Sequence, residues 1–276
     1  MFTLNCKGRL MVIDKPIVMG IINTTPDSFY PGSRSANEKE VLMRAEKMLQ
    51  DGATILDIGG QSTRPGSEQV GAEEELRRVL PAIESIAKRF PEAFISIDSF
   101  YSKVVKESIH AGAHIINDVS AGAIDEDLLP TVAALKAPYV LMHMKGHPQT
   151  MQLNPSYENV VTEVFDSLNF KMAELIKSGI NDIIIDPGFG FGKTATHNFT
   201  LLKELQYFRQ LNKPLMVGLS RKATVYKTLG IKAEEALNGT TVLHTMALLN
   251  GTNILRVHDV KEAMEAIKLV QKYSEA

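Results

Sequence analysis

The sequence predicts an α/β protein that folds as a single-domain (β/α)8 TIM barrel over residues 1–276. Apolar runs alternate with helical stretches along the chain, which is typical of parallel strands joined by right-handed crossovers. Each run ends in a polar or ionisable residue, as barrel strands do where their carboxyl ends form one rim. No linker or break in composition divides the chain, and its length suits the roughly 250 residues of such a barrel. A doubly wound open sheet is the alternative fold.

The predicted strands are continuous apolar runs, because a strand buried on both faces needs no alternation. They cover residues 16–22, 53–58, 94–97, 114–119, 138–142, 182–185, 214–219 and 252–257. Residues 1–15 precede the first strand, and we expect them to form an N-terminal extension or a hairpin.

The predicted helices follow these strands and are amphipathic. Residues 38–50 place Val41 and Ala45 on one apolar face, and residues 73–88 and 157–177 have a similar pattern. The glycines expected just after a helix are Gly52, Gly112 and Gly179.

The residues that end the strands are the strongest functional signal. They are Asn23, Asp57, Asp98, Asn117, His143, Asp186, Ser220 with Arg221, and Arg256 with His258. A polar side chain on such a strand must find a partner or lie at the open end, so we expect these residues to surround one mouth. Arg256 and His258 alternate along the last strand and point to the same side, near where phosphate groups often bind in barrels. The alternative for this pair is an ion pair with Asp259.

Composition and charge exclude several classes of partner. The chain has 30 Lys and Arg against 32 Asp and Glu, a formal net charge of −2, which gives no overall field for nucleic acid or an anionic membrane. Cys6 is the only cysteine, so an internal disulfide and a cysteine zinc cluster are excluded. No run approaches the ~18 apolar residues of a membrane span, and the first residues do not resemble a secretory signal. We expect a soluble cytoplasmic protein.

Two long loops follow the first two strands, at residues 23–37 and 59–72, and are rich in Gly, Pro, Ser and Thr. They can be plain turns. Long loops in a compact domain usually close over a site, however, and here backbone amides and Arg64 could face an anion.

The segment 186–194, DPGFGFGKT, resembles a phosphate loop only at its end. A phosphate loop needs a glycine five positions before Gly192, where this chain has Pro187. What remains is Asp186 at a strand end, followed by backbone that permits close approach. In the preceding loop, His143 and His147 could ligate zinc, but they do not share a helical face.

Asp98, Asn117 and Asp186 form a hydrogen-bonding set without a nucleophile. A carboxylate accepts two parallel N–H bonds, and asparagine both donates and accepts. The set suits a flat nitrogen heterocycle with an amino group beside a ring N–H better than it suits a sugar.

Six motifs between residues 20 and 260 then resemble those of the dihydropteroate synthase family. They are GIINTTPDSF, DIGGQSTRPG, the strand ends at Asp98 and Asn117, DPGFGFGK, GLSRK and RVHDV. The resemblance implies a barrel that joins 6-hydroxymethyl-7,8-dihydropterin pyrophosphate to 4-aminobenzoate in folate biosynthesis. It also implies Mg²⁺, a homodimer and membership of a family that sulfonamides target.

Carried over by position, the resemblance implies a role for each motif residue. Pterin would be bound by Asp98, Asn117, Asp186 and Lys222, pyrophosphate by Thr63, Arg64, Arg256 and His258, 4-aminobenzoate by Phe29, Thr63, Pro65, Phe191 and Ser220, and Mg²⁺ by Asn23. The chain departs from the common family form at Thr24, Tyr30, Pro31 and Gln61.

Two alternatives remain at this stage. A folate-dependent methyltransferase domain shares the barrel and part of the pterin set, but it has no need of TTPDSF or STRPG. A non-catalytic pterin-binding paralogue has no need of Asn23, Lys222, Arg256 and His258.

Overall fold

An N-terminal hairpin precedes the barrel. The computed structural model describes residues 1–24, 34–61, 69–146 and 150–276, with the backbone alone at 34–37. Strands β1 (Phe2–Cys6) and β2 (Arg9–Ile13) pair antiparallel through the two residues Lys7 and Gly8. Both have positive φ, 54° and 87°, as a two-residue turn between twisted strands requires.

Eight parallel strands form the barrel. They are β3 (Ile17–Asn23), β4 (Ile55–Gly59), β5 (Phe94–Asp98), β6 (Ile115–Asp118), β7 (Tyr139–Met142), β8 (Ile183–Asp186), β9 (Met216–Val217) and β10 (Ile254–Val257). Their order is β8-β7-β6-β5-β4-β3-β10-β9. A parallel bridge between Ile185 and Leu215 joins the two ends, and Ile185 N donates to Pro214 O at 2.8 Å. This closure confirms the predicted barrel and excludes the open sheet.

Helices alternate with these strands on the outside. They are α1 (Arg34–Asp51), α2 (Ala72–Arg89), α3 (Ser102–His110), α4 (Leu128–Leu135), α5 (Val160–Lys177), α6 (Ala195–Lys203), α7 (Ala223–Leu229), α8 (Leu237–Leu249) and α9 (Val260–Ser274), with 3-10 turns at Leu205–Leu211 and Ala233–Glu235. Gly52, Gly112 and Gly179 have φ values of 108°, 119° and 86° just after helices, as predicted. No helix in the described part of the chain has the length and apolar character of a membrane span.

The seventh barrel strand is shorter than the sequence predicts. The apolar run 214–219 pairs as β9 only at 216–217, because the chain then leaves the sheet. Lys222 N donates to Leu219 O at 3.2 Å, and Arg221 has a φ of 53°, so a tight turn begins directly after Gly218. The turn brings Lys222 back to the barrel mouth.

The lower half of the barrel interior is apolar and closed. The hairpin contributes Leu4, Cys6, Met11 and Ile13, which pack on the inward residues Ile17, Met19, Ile55, Ile115, Val140, Ile184, Met216 and Ile254. Outward residues of the same strands pack against the helices. Because inward positions recur every second residue, the inward residues above this apolar floor face the opposite, carboxyl-terminal end.

Candidate active site

One row of inward residues crosses four neighbouring strands at the carboxyl end of the barrel. In the strand register Asn23 is opposite Gly59, Gly59 is opposite Asp98, and Asp98 is opposite Asn117. A Cβ on Gly59 would lie 3.5 Å from Asp98 Cβ and 3.8 Å from Asn23 Oδ1, so the missing side chain leaves a gap between these two. Three residues that the sequence predicts for the site therefore share this part of the mouth.

Arg256 joins two carboxylates across the mouth. Its Nε donates to Asp57 Oδ2 at 2.7 Å, and its Nη2 donates to Asp98 Oδ2. Asn117 Nδ2 donates to the same Asp57 oxygen at 3.0 Å. The Asp57 side chain is 0 % exposed and that of Arg256 20 %, so water screens this network only weakly. Strands β4, β5, β6 and β10 thus contribute to one connected polar group.

Burial shifts the pKa values of several ionisable side chains at the mouth. It raises the pKa of Asp98 to about 7; Arg256 and Lys222 oppose the shift, and the nearby Asp57 and Asp118 add to it. Burial lowers the pKa of Lys222 to about 8, against the influence of Asp186. The pKa of Asp186 is also raised by burial and opposed by Lys222. The mouth therefore has groups that change charge close to pH 7.

Asp186 and Lys222 lie at the adjoining side of the mouth. Asp186 Oδ1 accepts from Gly188 N at 2.7 Å, which orients the carboxylate. Lys222 Nζ donates to Phe189 O at 2.6 Å and lies 4.7 Å from the centroid of the Phe191 ring. The loop after β8 therefore holds both the carboxylate and the ammonium group in place.

Packing against the preceding loop explains two of the three glycines of DPGFGFGKT. Gly188 and Gly192 have φ values of 71° and 64°. A Cβ at Gly188 would lie 1.9 Å from His143 O, and one at Gly192 would lie 2.2 Å from Lys145 O. These positions need glycine because two loop backbones touch there.

The lysine of this motif, Lys193, is buried beneath the loop. Its Nζ lies 2.9 Å from His143 Nδ1 and donates to Gly188 O at 2.9 Å and Phe191 O at 3.0 Å. Burial lowers the pKa of Lys193 to about 7 and, with Lys193 beside it, that of His143 to about 3. His143, which the sequence allows but does not favour as a zinc ligand, contacts Lys193, and His147 lies outside the described residues.

Ser220 and His258 are neighbours at the ends of β9 and β10. Ser220 Oγ lies 3.0 Å from His258 Nδ1 and accepts from His258 N at 3.2 Å. Asp259 accepts two bonds from Arg221, at 2.8 and 2.9 Å. The ion pair to Asp259 that the sequence allows as an alternative for Arg256 is thus made by Arg221, while Arg256 turns into the barrel.

An apolar wall completes the mouth. It consists of Phe100, Val119, Met142, Met151 and Phe191, with Tyr101, Ile124 and Met144 packed against it. These residues come from the loops and strand ends of β5 to β8, so the wall lies beside Asp98 and Asp186. Met142 and Met151 are buried in this wall, and Met144 packs against it.

The structure adds Asp57 to the predicted set. It is one of the strand-end residues, but sequence reasoning gives it no role, because neither its partners nor its complete burial can be read from the chain. The signal that could have found it is its position two residues after the inward Ile55. The expected loop residues Phe29, Thr63, Arg64 and Pro65 lie outside the described residues.

Comparisons with known proteins agree on one family. The family model described as "Pterin binding enzyme" matches residues 19–258. The dihydropteroate synthase of Escherichia coli strain K12 is 42% identical over 267 residues, which cover 96% of this chain and 94% of that protein. A Yersinia pestis dihydropteroate synthase in a sulfonamide drug complex has a TM-score of 0.93 at 39% identity, with 100% of both chains covered. A Xanthomonas albilineans dihydropteroate synthase with 4-aminobenzoic acid has a TM-score of 0.92 at 38% identity and covers 99% of this chain and 98% of that one.

Proposed function

The chain belongs to the pterin-binding enzyme family, among the dihydropteroate synthases, and on that premise we propose which reaction it catalyses and how. It condenses 6-hydroxymethyl-7,8-dihydropterin pyrophosphate with 4-aminobenzoate, giving 7,8-dihydropteroate and pyrophosphate in folate biosynthesis. The observation that carries the proposal is the buried network of Asp57, Asp98, Asn117 and Arg256 at the carboxyl end of the barrel.

We propose that two members of this network, Asp98 and Asn117, recognise the pterin together with Asp186. Asp98, Asn117 and Asp186 face a ring whose edge carries an amino group and an N–H, and each can accept from one of these donors. Lys222 lies beside them and supplies the complementary donor for a ring nitrogen or carbonyl. Met142, which belongs to the apolar wall, is proposed to cover the flat face of the ring.

Bond cleavage needs stabilisation of charge rather than an enzyme nucleophile. As pyrophosphate leaves the methylene carbon, positive charge delocalises into the dihydropterin ring, and a carboxylate at the ring N–H strengthens its bond at that moment. We propose Asp98 and Asp186 for this role. At the end of β10, Arg256 and His258 are proposed to bind the departing pyrophosphate. Thr63 and Arg64 of the second loop are proposed to bind it as well.

An oxygen ligand at the end of β3 is of the kind that Mg²⁺ binds. Asn23 Oδ1 is an uncharged oxygen at the end of β3, across the Gly59 gap from Asp98, and Mg²⁺ prefers a few oxygen ligands with phosphate and water. Asn23 would hold the ion, which when bound supplies neutralisation of the pyrophosphate charge. Among the described residues no group of three or more His, Cys, Asp or Glu could hold a metal, so substrate oxygens would complete the shell.

We propose that the second substrate binds against Phe191 and Ser220. Phe29, Thr63 and Pro65, which lie outside the described residues, are proposed to contribute to the same pocket. The arylamine is largely neutral near pH 7, so it attacks without a strong base. What the pocket must supply is orientation and the exclusion of water.

The deciding experiment measures pyrophosphate release by the purified chain with Mg²⁺ present. We expect release only when both dihydropterin pyrophosphate and 4-aminobenzoate are supplied, with dihydropteroate formed in equal amount. Pterin binding without release would favour a non-catalytic paralogue, and methyl transfer from a folate to a corrinoid would favour the methyltransferase alternative.

A homodimer is proposed from helix α8. Its buried side carries Leu243, Ala247 and Leu248, yet Val242, Met246 and Leu249 on the other side are 45%, 45% and 49% exposed. A helix that is apolar all round usually has both sides covered. Sedimentation should give a dimer that Met246→Glu converts to monomer, whereas an unchanged mass in this variant would contradict the proposed interface.

A further inference from the structure

Asp57 contacts Asn117 of the proposed pterin site and Arg256 of the proposed pyrophosphate site, and it is not expected to touch the substrates' reacting atoms. We propose that Asp57 is a positioning residue. It orients its neighbours so that the pterin pocket presents hydrogen-bond acceptors, and the pocket therefore selects a heterocycle whose edge carries hydrogen-bond donors. The inference rests on the proposed function, because it concerns how that same site chooses its pterin.

The geometry joins Asp57 to both neighbours through one oxygen. Oδ2 accepts from Asn117 Nδ2 at 3.0 Å and from Arg256 Nε at 2.7 Å, while the side chain is completely buried. Oδ1 is also buried and has no hydrogen-bond partner among the described residues. Two residues further along β4 stands Gly59, so no side chain of the same strand separates Asp57 from the mouth.

The bond to Asp57 orients the Asn117 amide. A carboxylate only accepts, so the amide must turn its NH2 group toward Asp57; the opposite orientation would set the carbonyl oxygen against Oδ2. Asn117 Oδ1 is then left for the ligand. Since the carboxylates of Asp98 and Asp186 also accept, the pocket presents acceptors from three strands.

Arg256 is held by the same contact. With Nε bonded to Asp57, the guanidinium plane is fixed and Nη2 reaches Asp98. Asp98 Oδ2 is occupied by this bond, so Asp98 Oδ1 is left for the ligand. Asp57 therefore controls which atoms of Asn117 and Asp98 are presented, although its own role is one step removed from the ring.

The test compares two ligands that differ at a single edge: 6-hydroxymethylpterin, with an amino group, and 6-hydroxymethyllumazine, with a carbonyl there. Calorimetry on the full chain should show preference for the pterin. In Asp57→Asn, residues 57 and 117 both carry amide side chains, and the new asparagine no longer forces the Asn117 amide into a single orientation. The preference should fall about 10- to 100-fold, as expected when a ligand donor loses its acceptor.

Two further variants separate positioning from a general structural role. Asn117→Asp sets two carboxylates against each other and should bind pterin poorly. The exchange Asp57→Asn with Asn117→Asp restores one donor and one acceptor, and it should recover the preference to within a few-fold of wild type. This comparison decides the matter even if Asp57→Asn fails to fold.

Asp118→Asn is the matched control. Asp118 is another fully buried strand-end aspartate, but it accepts from Tyr139 Oη at 2.6 Å and from Ser120 and has no hydrogen bond to a described residue of the proposed pterin site. Its variant should keep the ligand preference of wild type. An unchanged preference in Asp57→Asn, or an exchange variant no better than Asn117→Asp, would overturn the inference. Failure of the wild type to bind pterin would instead refute the proposed function.

Discussion

Lys193 Nζ lies 2.9 Å from His143 Nδ1, so a buried amine links the loop after β8 to the end of β7. The same Nζ donates to the carbonyl oxygens of Gly188 and Phe191. The neighbouring Phe189 carbonyl accepts from Lys222. The loop that presents Lys222 and Phe191 to the mouth is thus held from beneath by one side chain.

Replacement of Lys193 by Met should loosen this loop. Four partners would lose the ammonium group, namely His143 Nδ1 and the carbonyl oxygens of His143, Gly188 and Phe191. We expect this loss to lower the free energy of unfolding by about 2–4 kcal/mol and to raise the KM for both substrates. Thermal unfolding and steady-state kinetics measure the two effects. Lys145→Met is the control, because Lys145 is 46% exposed and pairs with Glu163 at 3.2 Å, a contact that contributes about 1 kcal/mol or less. Equal effects of the two variants would contradict the role given to Lys193.

Asp186→Asn should remove most pterin affinity while preserving the fold. The asparagine can keep the bond from Gly188 N through its oxygen, but its NH2 group then meets the donors of the ring. We expect a loss of about 1.5–3 kcal/mol in pterin binding by calorimetry. Asp125→Asn is the control, since Asp125 also accepts from a backbone amide, that of Ser102 at 2.7 Å, outside the mouth. Near-normal affinity in Asp186→Asn would show that the ring does not meet this carboxylate.

The sequence predicts the strand ends well because the information is local. A polar residue that closes an apolar run, as at Asp98, Asn117 and Asp186, faces the mouth whichever strand lies beside it. Partner choice is different, because it depends on the stagger between strands that are distant in the chain. The pairing of Arg256 with Asp57, 199 positions away, follows from that stagger and is not readable from either motif.

An apolar run in the sequence also does not show where a strand ends and a tight turn begins. Residues 214–219 look like one strand, and the structure ends β9 at Val217 because the turn to Lys222 begins at once. Arg221 likewise looks available for an anion. It is bonded to Asp259, which follows β10, and to Glu234 O at 2.7 Å in the 3-10 turn Ala233–Glu235, so both partners are distant from Arg221 in the chain or lie beyond α7.

Glu75 should make stability fall as pH rises. Burial raises its pKa to about 8, Asp98 adds to the shift, and hydrogen bonds from Ser99 and Gln61 oppose it. Because the folded-state pKa exceeds the unfolded value of about 4.3, the contribution of Glu75 is complete below pH 4.3 and is lost up to pH 8.

Glu75→Gln removes this titration. Its stability relative to wild type should increase by at least about 1 kcal/mol between pH 5 and pH 8, measured by denaturant unfolding. Glu74→Gln is the control, because the exposed Glu74 pairs with Arg77 and Arg78 and its pKa is lowered, so this window lies above its titration. A difference between Glu75→Gln and wild type that stays constant with pH would contradict the assignment.

Two glycine variants should separate catalysis from stability. In Gly59→Ala the new methyl group would make ordinary contacts of 3.5 Å with Asp98 Cβ and 3.8 Å with Asn23 Oδ1, so the free energy of unfolding should change by less than about 1 kcal/mol. The methyl would nevertheless occupy the gap between the proposed pterin and Mg²⁺ ligands, and kcat/KM should fall at least about tenfold, or 1.4 kcal/mol in the transition state.

Gly188→Ala should show the opposite balance. Its φ of 71° disfavours a side chain, and the Cβ would lie 1.9 Å from His143 O, so the loop after β8 must shift. We expect a loss of about 3 kcal/mol or more in stability, with activity falling as a consequence. Unfolding and kinetics measured on both variants test the pair together. If Gly59→Ala keeps full activity, the substrate does not lie between Asn23 and Asp98, because a methyl group at that point would otherwise contact the substrate and slow the reaction.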